Sequence, residues 1–590
     1  MQADQDLEKG GGATKHALPT PEQSESIESA ESDVTHVEKP QVEQNETAKL
    51  DESGAQPEQK QERGGSGEQA VRLGKKEFAI VYVGLILGLF LAALDQTIVS
   101  ATLPVIASQF NALNQISWIG TSYLLTNTAF QPLFGRFSDI FGRKPTFLAA
   151  ITIFLIGSVL CGASQNIIML IVFRAVAGLG AGGIISGVMI IISGMVPLKD
   201  RGKYQGYLGA VWGVSAIVGP LLGGGKQLLE QSYPLRKWRL SVCTPALADK
   251  ASWRWIFYIN LPIGAVTLVV VVLFLHFPPV SGNFKSKLST VDYGGSLLVV
   301  AATICILLAT SWGGTTYPWR SAPIIVCYLI GGLLIIALAV FEGKVAVAPI
   351  IPFRIFKIRT PLGCYVLNLF MGMVFFGIVY YVPIYFQAAL YQDPTTSGIS
   401  LVPLVMAMVI FTISSGILIS KLENYVWLIR AGGIFMTVGV GMLSTWTQYS
   451  NEGERIGYLI IAGVGFGLLF QTTVVAAQTA VAPKDLAISI SLCTFCRLLG
   501  GAFGVSILGS IFNDSLAQNF AALVPNSQQY AEAKTSVGII KTFPANIQPP
   551  IIECYVRGIR LIFLVSIPLA GIAFIASLLI QQHSMRTSRK

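Results

Sequence analysis

Asp95 stands in an otherwise uncharged stretch, Leu94-Asp95-Gln96-Thr97-Ile98-Val99-Ser100-Ala101-Thr102-Leu103-Pro104. A charged carboxylate near the centre of a membrane helix costs about 2.5–3.5 kcal/mol on insertion scales. Such an acid must face water, pair with a cation, or carry a proton. Asp95 is therefore a candidate proton-binding group, with a structural acid near a helix end as the competing reading. Arg174, in a later apolar run, is its natural partner and would tune its acidity. The other reading of Arg174 is a side chain that snorkels to the membrane surface. It is followed by Gly178, Gly180 and Gly182, which permit close approach of another helix.

A second charged element is the turn Gly135-Arg136-Phe137-Ser138-Asp139-Ile140-Phe141-Gly142-Arg143-Lys144-Pro145. It packs an acid and three cations between glycines, so it cannot lie in hydrocarbon and must sit at the membrane surface. A third element is Gly213-x-x-x-x-x-Gly219-Pro220-x-x-Gly223-Gly224. Pro220 removes a backbone donor and can kink its helix, and the glycines favour tight packing. A fourth is aromatic: Phe376, Tyr380 and Tyr381 lie on one late helix that ends near Gln387. Aromatic faces with few fixed charges suit flat, apolar ligands, although interfacial aromatics look the same in sequence. Gln131, Gln387 and Gln471 are added as candidate hydrogen-bonding groups of that cavity.

Other chemistries find little support. The four histidines are scattered, no Cys/His metal spacing exists, and no nucleotide-binding loop or Ser/His/Asp constellation is present. Cys493 and Cys496 form a CxxC inside a helical run, where packing is a better reading than redox chemistry. No metal or cofactor is expected.

The elements that must position these residues are membrane helices. Of 590 residues, 52% are hydrophobic and 12% charged. A soluble chain carries about twice that charged fraction. Apolar runs long enough to span a bilayer fall at 78–102, 116–135, 146–163, 168–196, 205–225, 255–277, 290–310, 322–342, 361–387, 398–420, 427–447, 456–481, 487–512 and 558–580. The fold class is all-α and polytopic. Lys and Arg cluster after helices two, four, six and eight, which places both termini in the cytosol. The net charge of +9 reads as positive-inside loops rather than nucleic-acid binding.

An internal repeat is visible. Ala177-Gly178-Leu179-Gly180-Ala181-Gly182 reappears as Ala462-Gly463-Val464-Gly465-Phe466-Gly467, and Lys199-Asp200 as Lys484-Asp485, at the same spacing. A shared spacing across helices and loop indicates duplication. The two six-helix halves would be 78–277 and 361–580, with two further helices, 290–342, inserted between them. Leu459 stands where the repeat would place the second Arg174.

The charged turn, Gly-x-x-x-Asp-x-x-Gly-Arg-Lys, resembles the loop after the second helix of major facilitator superfamily transporters. The glycine-proline motif of helix five resembles the antiporter motif of drug exporters in that superfamily. Trp118-Ile119-Gly120-Thr121-Ser122-Tyr123, Trp253-Arg254-Trp255-Ile256-Phe257-Tyr258-Ile259-Asn260-Leu261-Pro262 and Tyr381-Val382-Pro383-Ile384-Tyr385-Phe386-Gln387 look like the fourteen-helix drug:proton antiporters. Among these, residues 78–580 resemble fungal toxin and multidrug efflux pumps. The second half departs from the pattern, since Lys421-Leu422-Glu423-Asn424 keeps only a remnant of the charged turn.

The resemblance implies proton-driven export of amphipathic organic molecules by a monomer in the plasma membrane, or in a vacuolar or vesicle membrane. It implies proton coupling at Asp95 and Arg174, and a cytosolic latch at Gly135, Asp139, Gly142, Arg143 and Lys144. Gly213, Gly219, Pro220, Gly223 and Gly224 would seal the interface between bundles. Import of a siderophore or nutrient, and a nontransporting sensor, are the other readings.

Three segments stand apart. Residues 1–72 are acidic, polar and without apolar periodicity, the pattern of a disordered cytosolic tail. Residues 581–590 read as a short basic tail. Residues 226–245 put Lys226, Arg236, Lys237 and Arg239 on the outer side, against the positive-inside bias. Their removal joins Gly223-Gly224-Gly225 to Ala246-Leu247-Ala248, like the family's usual short turn before Trp253. The segment is either a translated, unspliced intron or an external loop.

Overall fold

A computed structural model describes residues 74–110, 115–223, 252–278, 280, 283–314, 316–344, 349–392, 394–523, 540, 543–544 and 548–585. The 1–72 tail, the 226–245 segment and residues 586–590 lie outside these. So does Gly224.

Among the described residues fourteen long helices follow one another: α1 Lys75–Phe110, α2 Ile116–Phe141, α3 Arg143–Ala163, α4 Ile167–Met195, α5 Leu198–Gly223, α6 Asn260–Phe274, α7 Tyr293–Trp312, α8 Ala322–Lys344, α9 Arg359–Leu390, α10 Val402–Leu422, α11 Val426–Leu443, α12 Glu452–Phe470, α13 Leu486–Leu523 and α14 Gln548–Leu578. Twelve helices among the described residues are long and apolar enough to cross a membrane. The other two, α2 and α5, are 26 residues each and more polar. Thr121, Ser122, Asn127 and Gln131 dilute α2, and Lys199, Asp200, Arg201 and Lys203 open α5. A membrane helix satisfies its own backbone hydrogen bonds, so the span is set by each apolar run alone. Several helices outrun their expected ends: α1 continues to Phe110, α13 to Leu523, and α14 starts at Gln548.

Two features interrupt the regular pattern. α6 is preceded by a separate turn, Trp255–Tyr258, and α12 breaks at Gln471 before a short second segment, Thr472–Thr479. α2 passes to α3 through Gly142 alone, at φ +102°, a conformation that disfavours any side chain.

The duplication is legible in the packing. A Cβ on Gly178 or Gly182 would press on Tyr123 O or Asn127 O of α2, and one on Gly180 on Phe154 N of α3. In the second half, a Cβ on Gly463 or Gly467 would press on Leu404 O or Met408 O of α10, and one on Gly465 on Met436 N of α11. The repeated glycines thus hold the same pair of neighbours in each half. Small residues at these positions let backbones meet where side chains would not fit. The inserted α8 leaves Leu329, Leu333 and Ile336 exposed, as a lipid-facing helix does.

The first residues after α14 are packed. Tyr425 OH accepts from His583 N (2.8 Å) and donates to Gln581 O (2.8 Å), and Met585 is buried. This part of the expected basic tail is docked on the start of α11.

Candidate functional site

Asp95 is fully buried on α1. Its Oδ2 lies 2.5 Å from Arg174 Nη1 of α4, and its Oδ1 accepts from Asn260 Nδ2 of α6 at 3.0 Å. Arg174 is also buried, so it does not snorkel. Its Nε donates to Ile119 O (3.3 Å), and its guanidinium covers the Tyr123 ring at 4.2 Å. Asn260 Nδ2 reaches Ser158 Oγ at 2.9 Å, and Ser158 donates to Phe257 O. Residues of five helices, α1, α2, α3, α4 and α6, therefore gather around one ion pair. Breaking such a pair by removing one partner costs about 3–5 kcal/mol, because it strands a charge.

Asn260 lies in the stretch Trp253–Pro262, and the sequence alone assigns it no role. The signal for it was an amide entering an apolar helix just before Pro262. Ser158 gave none, since hydroxyls are ordinary in membrane helices, and Tyr123 stands in the family-like stretch Trp118–Tyr123 without a role attached to it.

Gln96, next in the chain, turns the other way. It lines a cavity of about 170 Å³ together with Thr128 of α2, Leu307 of the inserted α7, Phe376 and Tyr380 of α9, and Gly501 of α13. Of the six expected cavity residues, Phe376 and Tyr380 line it. Tyr381 instead donates to Val505 O (3.1 Å) and packs on Phe512. Gln387 holds Ser397 Oγ at 3.0 Å. Gln131 is buried beside Asn127, and Gln471 is buried at the break in α12. On α9 Phe376 and Tyr380 are four residues apart and share a face, whereas the adjacent Tyr381 lies about 100° round the helix and cannot share it.

The bundles meet along two seams at the end that carries the charged turn. On one, a Cβ at Gly135 of α2 would meet Ser491 Oγ of α13. On the other, α5 lies on α10: a Cβ at Gly416 would meet Gly202 O, and one at Gly213 would meet Val409. There Lys199 Nζ pairs with Glu423 Oε1 at 2.8 Å, Lys203 N donates to Ser420 Oγ, and Arg201 Nη1 donates to Gln478 Oε1 at 3.4 Å. The remnant turn Lys421-Leu422-Glu423-Asn424 thus takes part in the seam.

These contacts redistribute the expected roles. Gly135 touches the other bundle. Lys144 Nζ donates to Val272 O (2.9 Å) and Arg143 covers the Phe277 ring at 5.4 Å, both within the first bundle. Asp139 lies one turn beyond Gly135 on α2. Gly213 sits on the seam, but Gly219 faces Thr97 of α1, so it supports the helix of Asp95 and does not seal the bundle interface. Thr97 Oγ1 also reaches Ser215 O at 3.0 Å. Pro220 and Gly223 lie in the last turn of α5.

Residues 85–505 match the family model described as Major Facilitator Superfamily. The chain is 38% identical to the MFS-type efflux pump MFS1 of Arthroderma benhamiae, over 76% of this chain and 81% of that one. It is 34% identical to the efflux pump roqT of Penicillium rubens, over 86% and 91%. A bacterial homolog of the human lysosomal transporter Spinster, solved inward-facing and unoccupied, superposes with a TM-score of 0.52 at 16% identity, over 88% of this chain and 100% of that chain.

Proposed function

The chain belongs to the Major Facilitator Superfamily, and from that premise we propose that it exports amphipathic organic molecules in exchange for protons. As a member of that family it is a multi-pass membrane transporter of small molecules, not an enzyme, and the family needs no bound cofactor. Export is supported by relatives named efflux pumps at more than 30% identity. In this reading the charged-turn end faces the cytosol, as the Lys and Arg distribution suggests.

One observation carries the exchange mechanism: Asp95 and Gln96 are consecutive, and one faces the buried ion pair while the other faces the cavity. A proton arriving at Asp95 neutralises the partner of Arg174 and leaves a guanidinium buried without a counter-charge. That state is costly by several kcal/mol. Relief comes from moving α1 relative to α4 and α6, which rehydrates or repartners Arg174. The same movement carries Gln96 and reshapes the cavity, so cargo and proton bias one conformational equilibrium. Gly219, against Thr97, keeps α5 in step with α1.

The test is transport into everted vesicles under an imposed pH gradient, with a panel of toxins and azoles. Accumulation that collapses with the gradient supports the reading. Accumulation that persists, or uptake in the opposite sense, overturns proton-driven export.

A further inference from the structure

Arg497 of α13 is buried about 16 Å along its helix from Leu486. Its partners are neutral. Nε and Nη2 donate to Asn368 Oδ1 of α9 at 3.0 and 2.8 Å, and Nη2 also donates to Phe470 O at 2.7 Å. The Phe470 ring covers the guanidinium at 3.9 Å. No carboxylate among the described residues forms an ion pair with it. Arg174, by contrast, has Asp95. A buried guanidinium without a counter-charge is costly, and such residues in transporters lie on substrate paths.

The surroundings are built for a ligand. The carbonyl of Phe470 is available because α12 breaks at the next residue. Gln471, at the break, is buried, and both ends of its amide lack a hydrogen-bond partner. Gln205 of α5 is also fully buried with both amide ends unpartnered. α5 brings it close: a Cβ on Gly209, one turn along from Gln205, would lie 3.6 Å from Gln471 Cγ. Each bundle thus supplies an unsatisfied amide at the seam, and Arg497 holds the carbonyl of Phe470, the residue before Gln471. Broken helices beside a midplane cavity are a recurrent way to expose polar backbone to cargo.

We infer that Arg497, Gln471 and Gln205 form a docking site for an anionic group, the carboxylate or ionised enol of an amphipathic cargo. This rests on the export reading and narrows its substrate class to organic acids. The anion supplies the missing counter-charge. The two amides take its remaining lone pairs or a neighbouring carbonyl or hydroxyl of the cargo. The site is closed in this conformation, with α5 against α10, and opening of that seam admits the ligand.

Equilibrium binding tests it without requiring transport. Purified protein in nanodiscs is titrated with 1-naphthaleneacetic acid and with its methyl ester. The wild type is expected to bind the acid at least about tenfold more tightly, the scale of one charge-assisted hydrogen bond. Arg497→Gln should bring the two affinities together by weakening the acid alone. Arg497→Lys should restore part of the preference, and Gln471→Leu should weaken both ligands. Should Arg497→Gln not fold, the lysine and leucine variants carry the test. A wild type without acid preference, or binding neither compound, overturns the proposal, as does an acid preference that survives Arg497→Gln. Stabilisation by chloride alone, with none by the acid, would mark an inorganic-anion site and overturn the cargo assignment. Vesicle transport is read separately: its failure sinks the export reading, whereas lost acid preference sinks only this one.

Discussion

The carboxylate of Asp95 and the guanidinium of Arg174 lie 2.5 Å apart, both shut away from solvent, and Asn260 occupies the remaining oxygen of Asp95. The pair is electrically neutral only while Asp95 is ionised. Removing either charge would therefore strand the other inside the first bundle.

Asp95→Asn should abolish gradient-driven transport while membrane insertion persists. It should also lower the unfolding temperature, because Arg174 loses its counter-charge, at a cost of about 3–5 kcal/mol. Adding Arg174→Gln should recover much of the stability and none of the transport. Asp95→Glu should retain partial activity. Wild-type flux in Asp95→Asn, measured beside thermal melts in detergent, would remove Asp95 from the coupling role.

The Lys199–Glu423 pair joins the bundles but is partly exposed, so its own contribution is below about 1 kcal/mol. Glu423→Lys alone should shift the conformational balance a few-fold and change turnover more than cargo affinity. Lys199→Glu with Glu423→Lys should return turnover toward wild type. Asp139→Ala and Arg143→Ala should likewise slow turnover with less effect on binding. A collapse in affinity at unchanged turnover would refute a latch at this end of the molecule.

Gly416→Val should disrupt the α5–α10 seam, because its Cβ would overlap Gly202 O. Overpacking of this kind typically costs about 1–3 kcal/mol. Transport should fall sharply, with a smaller fall in melting temperature. Gly332→Val on α8, where a Cβ meets nothing within 4 Å, is the matched control and should have little effect. Equal effects of the two variants would mean that the seam carries no special constraint.

The segment 226–245, outside the described residues, is expected to be absent from the mature transcript, whose reading frame its loss preserves. Transcript sequencing decides this. A dominant message that encodes Lys226–Pro245 would make the segment a real loop between α5 and the Trp255–Tyr258 turn.

Much of the architecture was legible before any coordinates. Each membrane helix closes its own backbone hydrogen bonds, so a long apolar run reports a helix without reference to the rest of the chain. Glycine spacing exposed the duplication, and the isolation of Asp95 in an apolar run marked it by cost alone. Partners were harder to read. Arg174 was nameable because cations in such helices are few. Asn260, the facing direction of Gln96, the role of Gly219 and the uncompensated Arg497 depend on how each helix is rotated about its axis. Rotation is settled by contacts between residues far apart in the chain, such as Gly178 on Tyr123 O and Gly219 on Thr97. Hydropathy, a local property, fixes where a helix lies in the chain and leaves that angle open. Tertiary packing closed it, and in doing so decided which buried charge has a partner and which awaits one.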